Sequence, residues 1–295
     1  MLTLGYLDSL ADRYAEALLC EVREFEIAGR FFPFNQRPSV MGVINLSPDS
    51  WYRESVCLDT SAALRRGRVL VEQRADIIDV GAESTLGHAA REEPDAQLEK
   101  LLPVIRELAN GDVIVSSETY HLEVARQCLQ AGARVLNLTG TTSTQSIYRL
   151  AVEHDAAVII CYVQGANVRE VGDCSLDNDP IPLMHDYFAR EVEKADQCGL
   201  DKIFLDAGLG FYYRNLQDSG LRVQRQLTTL LNAFRLRTIG FPVCNALPHA
   251  FEHFQEEVRS AEPFFAVMAS LGKTDLFRSH EVPRVRAVLD SLQAF

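Results

Sequence analysis

The sequence lacks the marks of several protein classes. Its seven cysteines include no CxxC pair, and they are scattered along the chain, so neither a disulfide framework nor a zinc framework is predicted. No apolar run reaches the roughly 18 residues that a membrane span needs. The first residues carry acids and no basic segment of the signal-peptide kind. We therefore expect a cytoplasmic protein with reduced thiols and no membrane partner.

Positive charge is also scarce. Lys and Arg number 29 against 41 Asp and Glu, which gives a formal net charge of -12. A sequence-independent nucleic-acid binder needs a basic face, so no nucleic-acid partner is expected. The balance says little about small anionic ligands, because a few local donors can override a global field.

No linker, charge block or low-complexity tract divides the 295 residues. We expect one domain overall, in which residues 1–37 form a cap and residues 38–295 form the main fold. Within the cap, apolar residues recur at spacings of three and four over 5–22 and predict a helix. Two apolar runs around Gly29 predict a hairpin over 25–34.

From Ser39 onward, apolar strands alternate with amphipathic helices. The predicted strands are 39–45, 76–80, 112–116, 133–138, 157–162, 202–206, 240–245 and 275–278. The predicted helices are 60–74, 94–109, 120–131, 144–154, 183–199, 223–236, 259–271 and 281–293. Eight such units in about 250 residues predict an α/β fold of the TIM (β/α)8 barrel type. A doubly wound sheet is the alternative, but no GxGxxG follows the first strand.

Polar side chains stand at the carboxyl end of every predicted strand, where the ligands of a barrel bind. They are Asn45, Asp79, Glu118, Asn137, Tyr162 with Gln164, Asp206, Asn245, and Arg278 with His280. We expect them to point into one mouth and to form a ligand site. The structural alternatives are that Asp79 only solvates a loop and that His280 only caps a helix.

The residue types indicate what such a site would take. Asp79, Glu118 and Asp206 accept hydrogen bonds when ionised, and Asn137 both accepts and donates. This set suits a heterocycle rich in N–H donors, such as an aminopyrimidine, and it would also suit a divalent cation. Arg278 with His280 follows the last strand, where TIM barrels often bind a phosphate.

Long motifs in the chain resemble those of one enzyme family. The segment PSVMGVINLSPDSWY at 38–52 is similar to the first strand and loop of dihydropteroate synthase. The resemblance continues through IIDVGAEST (77–85), VSSET (115–119), ARVLNL (133–138), CYVQG (161–165), LDAGLGF (205–211) and RSHEV (278–282). It implies a barrel that joins 6-hydroxymethyl-dihydropterin pyrophosphate to p-aminobenzoate in folate synthesis. It also implies a homodimer and a Mg²⁺ ion.

The resemblance implies a role for each matching residue. Asp79, Asn137 and Asp206 would bind the amino group and ring nitrogens of the pterin. Arg278, His280 and Thr85 would bind the phosphates, and Phe211 would lie near the aromatic amine. Asn45 would hold the pyrophosphate and its Mg²⁺.

The chain departs from the family pattern mostly where that pattern carries cations. Leu86 stands in the place of a loop arginine, and the lysine after the seventh strand is absent from Val243 to His249. Glu118 replaces an aspartate. These departures leave two main hypotheses, a transferase of the synthase type and a divergent paralogue that binds a pterin but has lost or altered the synthase activity. A barrel methyltransferase acting on a methyl-pterin is a third, which the Pro48-Asp49-Ser50 loop disfavours.

Overall fold

The structure is a computed structural model that describes residues 2–50, 52–84, 89, 91–211 and 213–294. The chain begins with two short helices and a hairpin. These elements are α1 (Leu4–Arg13), α2 (Ala15–Leu18), β1 (Phe25–Ile27) and β2 (Arg30–Phe32). The predicted helix over 5–22 is therefore shorter than expected and is broken at Tyr14, whose backbone leaves the helical region. No residue of α1 is fully buried.

Eight parallel strands close into a barrel, which confirms the predicted fold class. They are β3 (Ser39–Asn45), β4 (Ile77–Gly81), β5 (Val115–Thr119), β6 (Val135–Leu138), β7 (Ala157–Cys161), β8 (Ile203–Asp206), β9 (Val243–Ala246) and β10 (Leu276–Ser279). Each strand pairs with the next along the chain, and β10 pairs with β3 to complete the ring. All eight carboxyl ends therefore meet at one rim of the barrel.

Helices follow the strands and cover the outside of the barrel. They are α3 (Thr60–Glu72), α4 (Pro94–Asn110), α5 (Leu122–Gln130), α6 (Thr144–Glu153), α7 (Ile181–Gln197), α8 (Ser219–Asn232), α9 (Phe251–Phe254), α10 (Ala261–Leu271) and α11 (Val282–Gln293). Helix α8 starts earlier than predicted because Asp218 caps it, accepting a hydrogen bond from the Leu221 amide. Among the residues described, no helix is long and apolar enough to cross a membrane.

Side chains alternate between the interior of the barrel and the helix layer along each strand. On β4, Ile77 and Asp79 face inward, whereas Ile78 and Val80 pack against the helices. On β9, Cys244 lies in the inner cluster and Val243 in the outer one. This alternation decides which residue of each strand can reach a ligand at the rim.

The third barrel strand lies three residues later than predicted. The apolar run after Asp112 suggested a strand over 112–116, but Asp112 has a φ of 58° and belongs to the turn that ends α4. The strand instead continues through the polar residues Ser116, Ser117 and Glu118. A search for apolar runs misses this strand because Ser116 and Glu118 face the polar interior of the barrel.

The hairpin closes the amino end of the barrel with aromatic rings. Phe25 and Phe34 each meet the ring of Phe204 edge to face, with centroids 5.2 and 5.3 Å apart. Beside them Arg237 is ion-paired with Asp275, and both are almost fully buried. The cap thus packs into the core at this end, which leaves the opposite rim for a ligand.

Candidate functional site

A largely buried arginine organises the inside of the barrel at the carboxyl rim. Arg278 on β10 donates from Nε to Asp79 Oδ2 at 2.8 Å and from Nη2 to Glu118 Oε2 at 2.6 Å. The barrel brings these groups together because β4, β5 and β10 all face the same interior. The predicted cation and two of the predicted acids therefore form one ion-paired cluster.

Asp79 lies at the bottom of this cluster and is fully engaged. It also accepts from Ser116 Oγ at 2.6 Å and from Asn137 Nδ2 at 3.0 Å. Its side chain has no exposed surface and does not line the cavity above it. In this structure Asp79 fixes the positions of Asn137 and Arg278, and it does not itself face the ligand space.

Glu118 and Asp206 line the cavity and carry raised pKa values. Burial raises the pKa of Glu118 to about 7, against the lowering effect of the Arg278 guanidinium. Burial likewise raises the pKa of Asp206 to about 6, although the Gly208 amide donates to its Oδ1 at 2.7 Å. Three acids face one arginine, so the cluster holds more negative than positive groups.

The cavity opens at the rim between the loops that follow the strands. Asn137, Cys161, Glu118 and Asp206 lie on its inner wall, and Phe211 lies at its side. Cys161 donates from Sγ to Asn137 Oδ1 at 3.4 Å, which leaves the amide oxygen further acceptor capacity. The inner wall is thus rich in acceptors.

Three predicted site residues lie away from this cavity. Tyr162 and Asn245 occupy outward positions on their strands, where Tyr162 packs edge to face on Tyr187 and Asn245 donates to Thr274 Oγ1 at 2.8 Å. Gln164 accepts from the Ser175 amide at 3.2 Å. The expectation that every strand end points into one mouth is wrong for these side chains. Tyr162 and Asn245 face outward because alternate residues of a strand face opposite sides, and Gln164 lies in the loop beyond the end of β7. Thr85 and Leu86 lie outside the described residues.

Asn45, at the end of β3, lines the cavity and is the predicted Mg²⁺ ligand. Its Nδ2 donates to Ser55 Oγ at 2.6 Å, and among the described residues its Oδ1 has no hydrogen-bond partner. Mg²⁺ in enzymes is commonly held by one or two protein oxygens together with substrate phosphates and water. A single oriented amide oxygen beside an anion site is compatible with that kind of binding.

His280 lies at the rim in a cluster that the sequence pattern did not predict. Its Nδ1 is 2.8 Å from Oε1 of the fully buried Glu262 on α10, and 3.2 Å from Nε2 of His249. Burial lowers the pKa of His280 to about 4, against the raising effect of Glu262. Burial opposes ionisation of Glu262, but hydrogen bonds from both histidines hold its pKa well below the ordinary value. Tyr52 stacks on both imidazoles.

A second arginine also reaches the cavity, and sequence reasoning missed it. Arg222 on α8 lines the cavity, where it donates to the Leu216 carbonyl and is ion-paired with Glu252. Neither Arg222 nor Glu262 follows a strand directly, so a search of strand ends could not find them. For Glu262, the sequence signal that could have been used was the pair of histidines, His249 and His280, that follow β9 and β10.

A TIM barrel with an acceptor-rich inner wall and arginines at its carboxyl rim suits a donor-rich, anionic small molecule. The pattern of the pterin binding enzyme family matches residues 41–246. The chain is 30% identical to a dihydropteroate synthase of Synechocystis over 81% of this chain and 79% of the relative. It belongs to the dihydropteroate synthase family of pterin-binding barrels.

Further comparisons agree with this assignment. The chain is 29% identical to the dihydropteroate synthase of Escherichia coli over 59% of this chain and 62% of that enzyme. The structure of a Xanthomonas albilineans dihydropteroate synthase with 4-aminobenzoic acid superposes with a TM-score of 0.77 at 24% identity, covering 93% of this chain and 98% of that one. This second likeness supports the fold.

Proposed function

We propose that this chain joins 6-hydroxymethyl-dihydropterin pyrophosphate to p-aminobenzoate or a related aryl amine. The observation that supports the proposal best is the cluster of three buried acids around Arg278 beneath an open cavity. A pterin carries an amino group and ring N–H donors, and these suit an acceptor-rich wall. The naming of its relatives as dihydropteroate synthases supports the same reaction.

In this proposal, Asn137 and Asp206 accept hydrogen bonds from the pterin and Glu118 lies next to them. Asp79 acts through its bonds to Asn137 and Arg278, which it holds in place. Such preorganised dipoles stabilise charge without reorganisation during the reaction. Phe211, which lines the cavity, would lie beside the aromatic amine.

The reaction forms a bond between the amine nitrogen and the exocyclic methylene carbon of the pterin. The carbon–oxygen bond to pyrophosphate breaks, the electron pair leaves with the pyrophosphate, and the amine loses a proton to solvent. His280 and Arg222 line the rim where the leaving anion would lie. Mg²⁺, when bound near Asn45, would neutralise charge on the phosphate oxygens.

The second candidate is a paralogue that binds a pterin without the synthase reaction. Pro248 occupies the stretch where the family pattern has a lysine, and among the described cavity-lining residues no lysine occurs. Lys273 is hydrogen-bonded to the Leu18 carbonyl outside this cavity. A reaction that expels pyrophosphate depends on cations, so their loss favours this candidate.

Calorimetric titration with 6-hydroxymethyl-dihydropterin pyrophosphate, followed by a turnover assay with p-aminobenzoate, separates the two candidates. Saturable binding with formation of dihydropteroate supports the transferase. Binding without turnover supports the paralogue, and no binding contradicts both. The same two measurements on Asp206→Asn are compared with those on the natural chain, since this variant keeps an acceptor oxygen but removes the charge.

Pro248→Lys tests whether the missing cation limits turnover. If it does, the variant forms dihydropteroate faster than the natural chain, while His253→Lys, on the exposed side of α9, leaves the rate unchanged. An unchanged rate in both variants means that the missing lysine does not limit turnover.

We further propose that the protein is cytoplasmic and acts as a homodimer, as the family resemblance implies. The apolar residues Leu4 and Leu19 of the N-terminal segment are exposed and would be available for such contacts. Analytical ultracentrifugation of the full chain measures the oligomeric state. A monomer at micromolar concentration contradicts the dimer.

A further inference from the structure

Three side-chain atoms from separate parts of the chain converge at the rim of the cavity. His249 Nε2, His280 Nδ1 and Glu262 Oε1 are separated by 2.8, 3.1 and 3.2 Å. His249 follows β9, His280 follows β10, and Glu262 lies in the first turn of α10. Within the described parts of the chain, this is the group of three such side chains positioned to hold a metal ion.

Hydrogen bonds alone cannot make all three contacts favourable. Each ring nitrogen carries at most one hydrogen. If both histidines donate to the ionised carboxylate, their two N–H groups lie side by side with the nitrogens 3.2 Å apart. If one histidine donates to the other, the lone pair of the accepting nitrogen faces the carboxylate oxygen. At least one close contact is then repulsive. A cation between the three atoms would attract one lone pair from each of them, so that no repulsive contact would remain.

We propose that His249, Glu262 and His280 form a binding site for a divalent transition-metal ion of the Zn²⁺ class. Zn²⁺ binds His nitrogen and carboxylate oxygen at about 2.0–2.2 Å, so tetrahedral ligands lie roughly 3.3 Å apart. The observed separations of 2.8 to 3.2 Å need only a small outward movement to reach that distance. Two imidazoles and one carboxylate favour such an ion over Mg²⁺, which prefers oxygen ligands.

The surroundings of Glu262 would hold the ligand set in place. Its carboxylate has no exposed surface and accepts from Ser279 Oγ and from the amides of His280, at 3.0 Å, and Glu281, at 2.9 Å. Such outer bonds orient ligands in metal sites. The ring of Tyr52 lies 4.9 and 4.8 Å from the two imidazole centroids and restricts their rotation.

The site would keep an open position toward the cavity. Both histidines line the cavity, and their side chains retain 15% and 11% of their exposed surface. Three protein ligands with one free position are typical of ions that bind a ligand or water. If the proposed function also holds, the ion would bring positive charge to the rim where this chain lacks the lysine of the family pattern.

The test uses the full chain without an affinity tag, freed of metal by chelation. Addition of Co²⁺ as a probe should give one bound equivalent and the visible absorption of a low-coordinate Co²⁺ ion. Zn²⁺ should displace it, and excess Mg²⁺ should not. This readout needs no pterin and no turnover, so its failure is distinct from failure of the proposed function.

His249→Ala should weaken Co²⁺ binding by more than about 100-fold, since even outer partners of a ligand are worth 10–100-fold. His253→Ala, an exposed histidine a few residues away, is the matched control and should bind as the natural chain does. His249→Gln provides a second variant should the alanine variant fail to fold. No uptake by the natural chain overturns the proposal, as does equal binding in a folded His249 variant.

Discussion

The two ends of the barrel each contain an arginine that is buried or largely buried, but different groups surround the two arginines. At the amino end Arg237 is paired with one acid, Asp275, and also donates to Asn35 and the Cys20 carbonyl. At the carboxyl end Arg278 is surrounded by Asp79, Glu118 and Asp206. The first group is balanced and closed. The second has an excess of acceptors beneath a cavity.

A shifted pKa does not by itself distinguish the two ends. Burial raises the pKa of Asp275 to about 6, and it raises the pKa of Asp206 to about the same value. The structural pair and the candidate site therefore give the same electrostatic signature, as expected of buried ion pairs. What differs is the charge balance and the access to solvent.

The largest effect on stability is expected at the closed end. Arg237→Ala leaves Asp275 buried without a partner, so we expect a loss of about 3–5 kcal/mol in the free energy of unfolding. Urea denaturation measures it. Arg74→Ala breaks an exposed pair with Asp290 and should cost no more than about 1 kcal/mol. Equal losses of unfolding free energy in the two variants would contradict the larger contribution of the buried pair.

At the open end, the larger effect should fall on activity. Arg278→Ala removes the cation that holds Asp79 and Glu118, and we expect kcat/KM to fall about 10²–10³-fold. Steady-state assays measure it, together with titration of the pterin pyrophosphate. Arg278→Lys keeps the charge but lacks the planar guanidinium whose separate nitrogens bond the two acids, so an intermediate loss is expected. Natural activity in the alanine variant would contradict the role of the cluster.

The two ends should also respond differently to pH. Donor-rich ligands favour ionised acceptors, and the pKa values of Glu118 and Asp206 are about 7 and 6. Affinity for the pterin should therefore fall as the pH drops through this range, by up to about tenfold per unit for each group that must lose a proton. Titrations from pH 8 to 5 measure it. Asp206→Asn should flatten the lower part of the profile, and Asp275→Asn should leave its shape unchanged.

A smaller effect is expected at the second arginine of the rim. Arg222→Ala should weaken binding of the anionic end of the substrate by about tenfold, which corresponds to one charge-assisted hydrogen bond. Glu252→Gln removes its ion-pair partner and keeps the cation, so binding should be at least as strong as in the natural chain. Competition with inorganic pyrophosphate measures both. A loss in Glu252→Gln and none in Arg222→Ala would reverse the assignment.

The sequence predicted the barrel well because its signal is spread over eight regular units. It predicted the inward position of Glu118, Asn137, Asp206 and Arg278 for the same reason. It failed for Tyr162 and Asn245 because alternate residues of a strand face opposite sides, and the residues that face inward there are their neighbours Cys161 and Cys244. The predicted end of a short strand does not establish which of its last residues face the interior of the barrel.

The rim cluster escaped prediction for a different reason. Glu262 lies in the first turn of a helix in which Ser270 is the one other polar residue, and its partners His249 and His280 lie 13 and 18 residues away. Nothing in local spacing relates the three. Only the closure of the last two strands brings them together.

Ion pairing within the carboxyl-end cluster spans much of the chain, since Arg278 is 199 residues from Asp79 and 160 from Glu118. As the polypeptide is synthesised from its amino end, the acids emerge first and stay without their counterion until the last barrel strand appears. The charge that completes the site is also the one that arrives with the closing strand. Closure of the barrel and completion of the binding site therefore depend on the same strand.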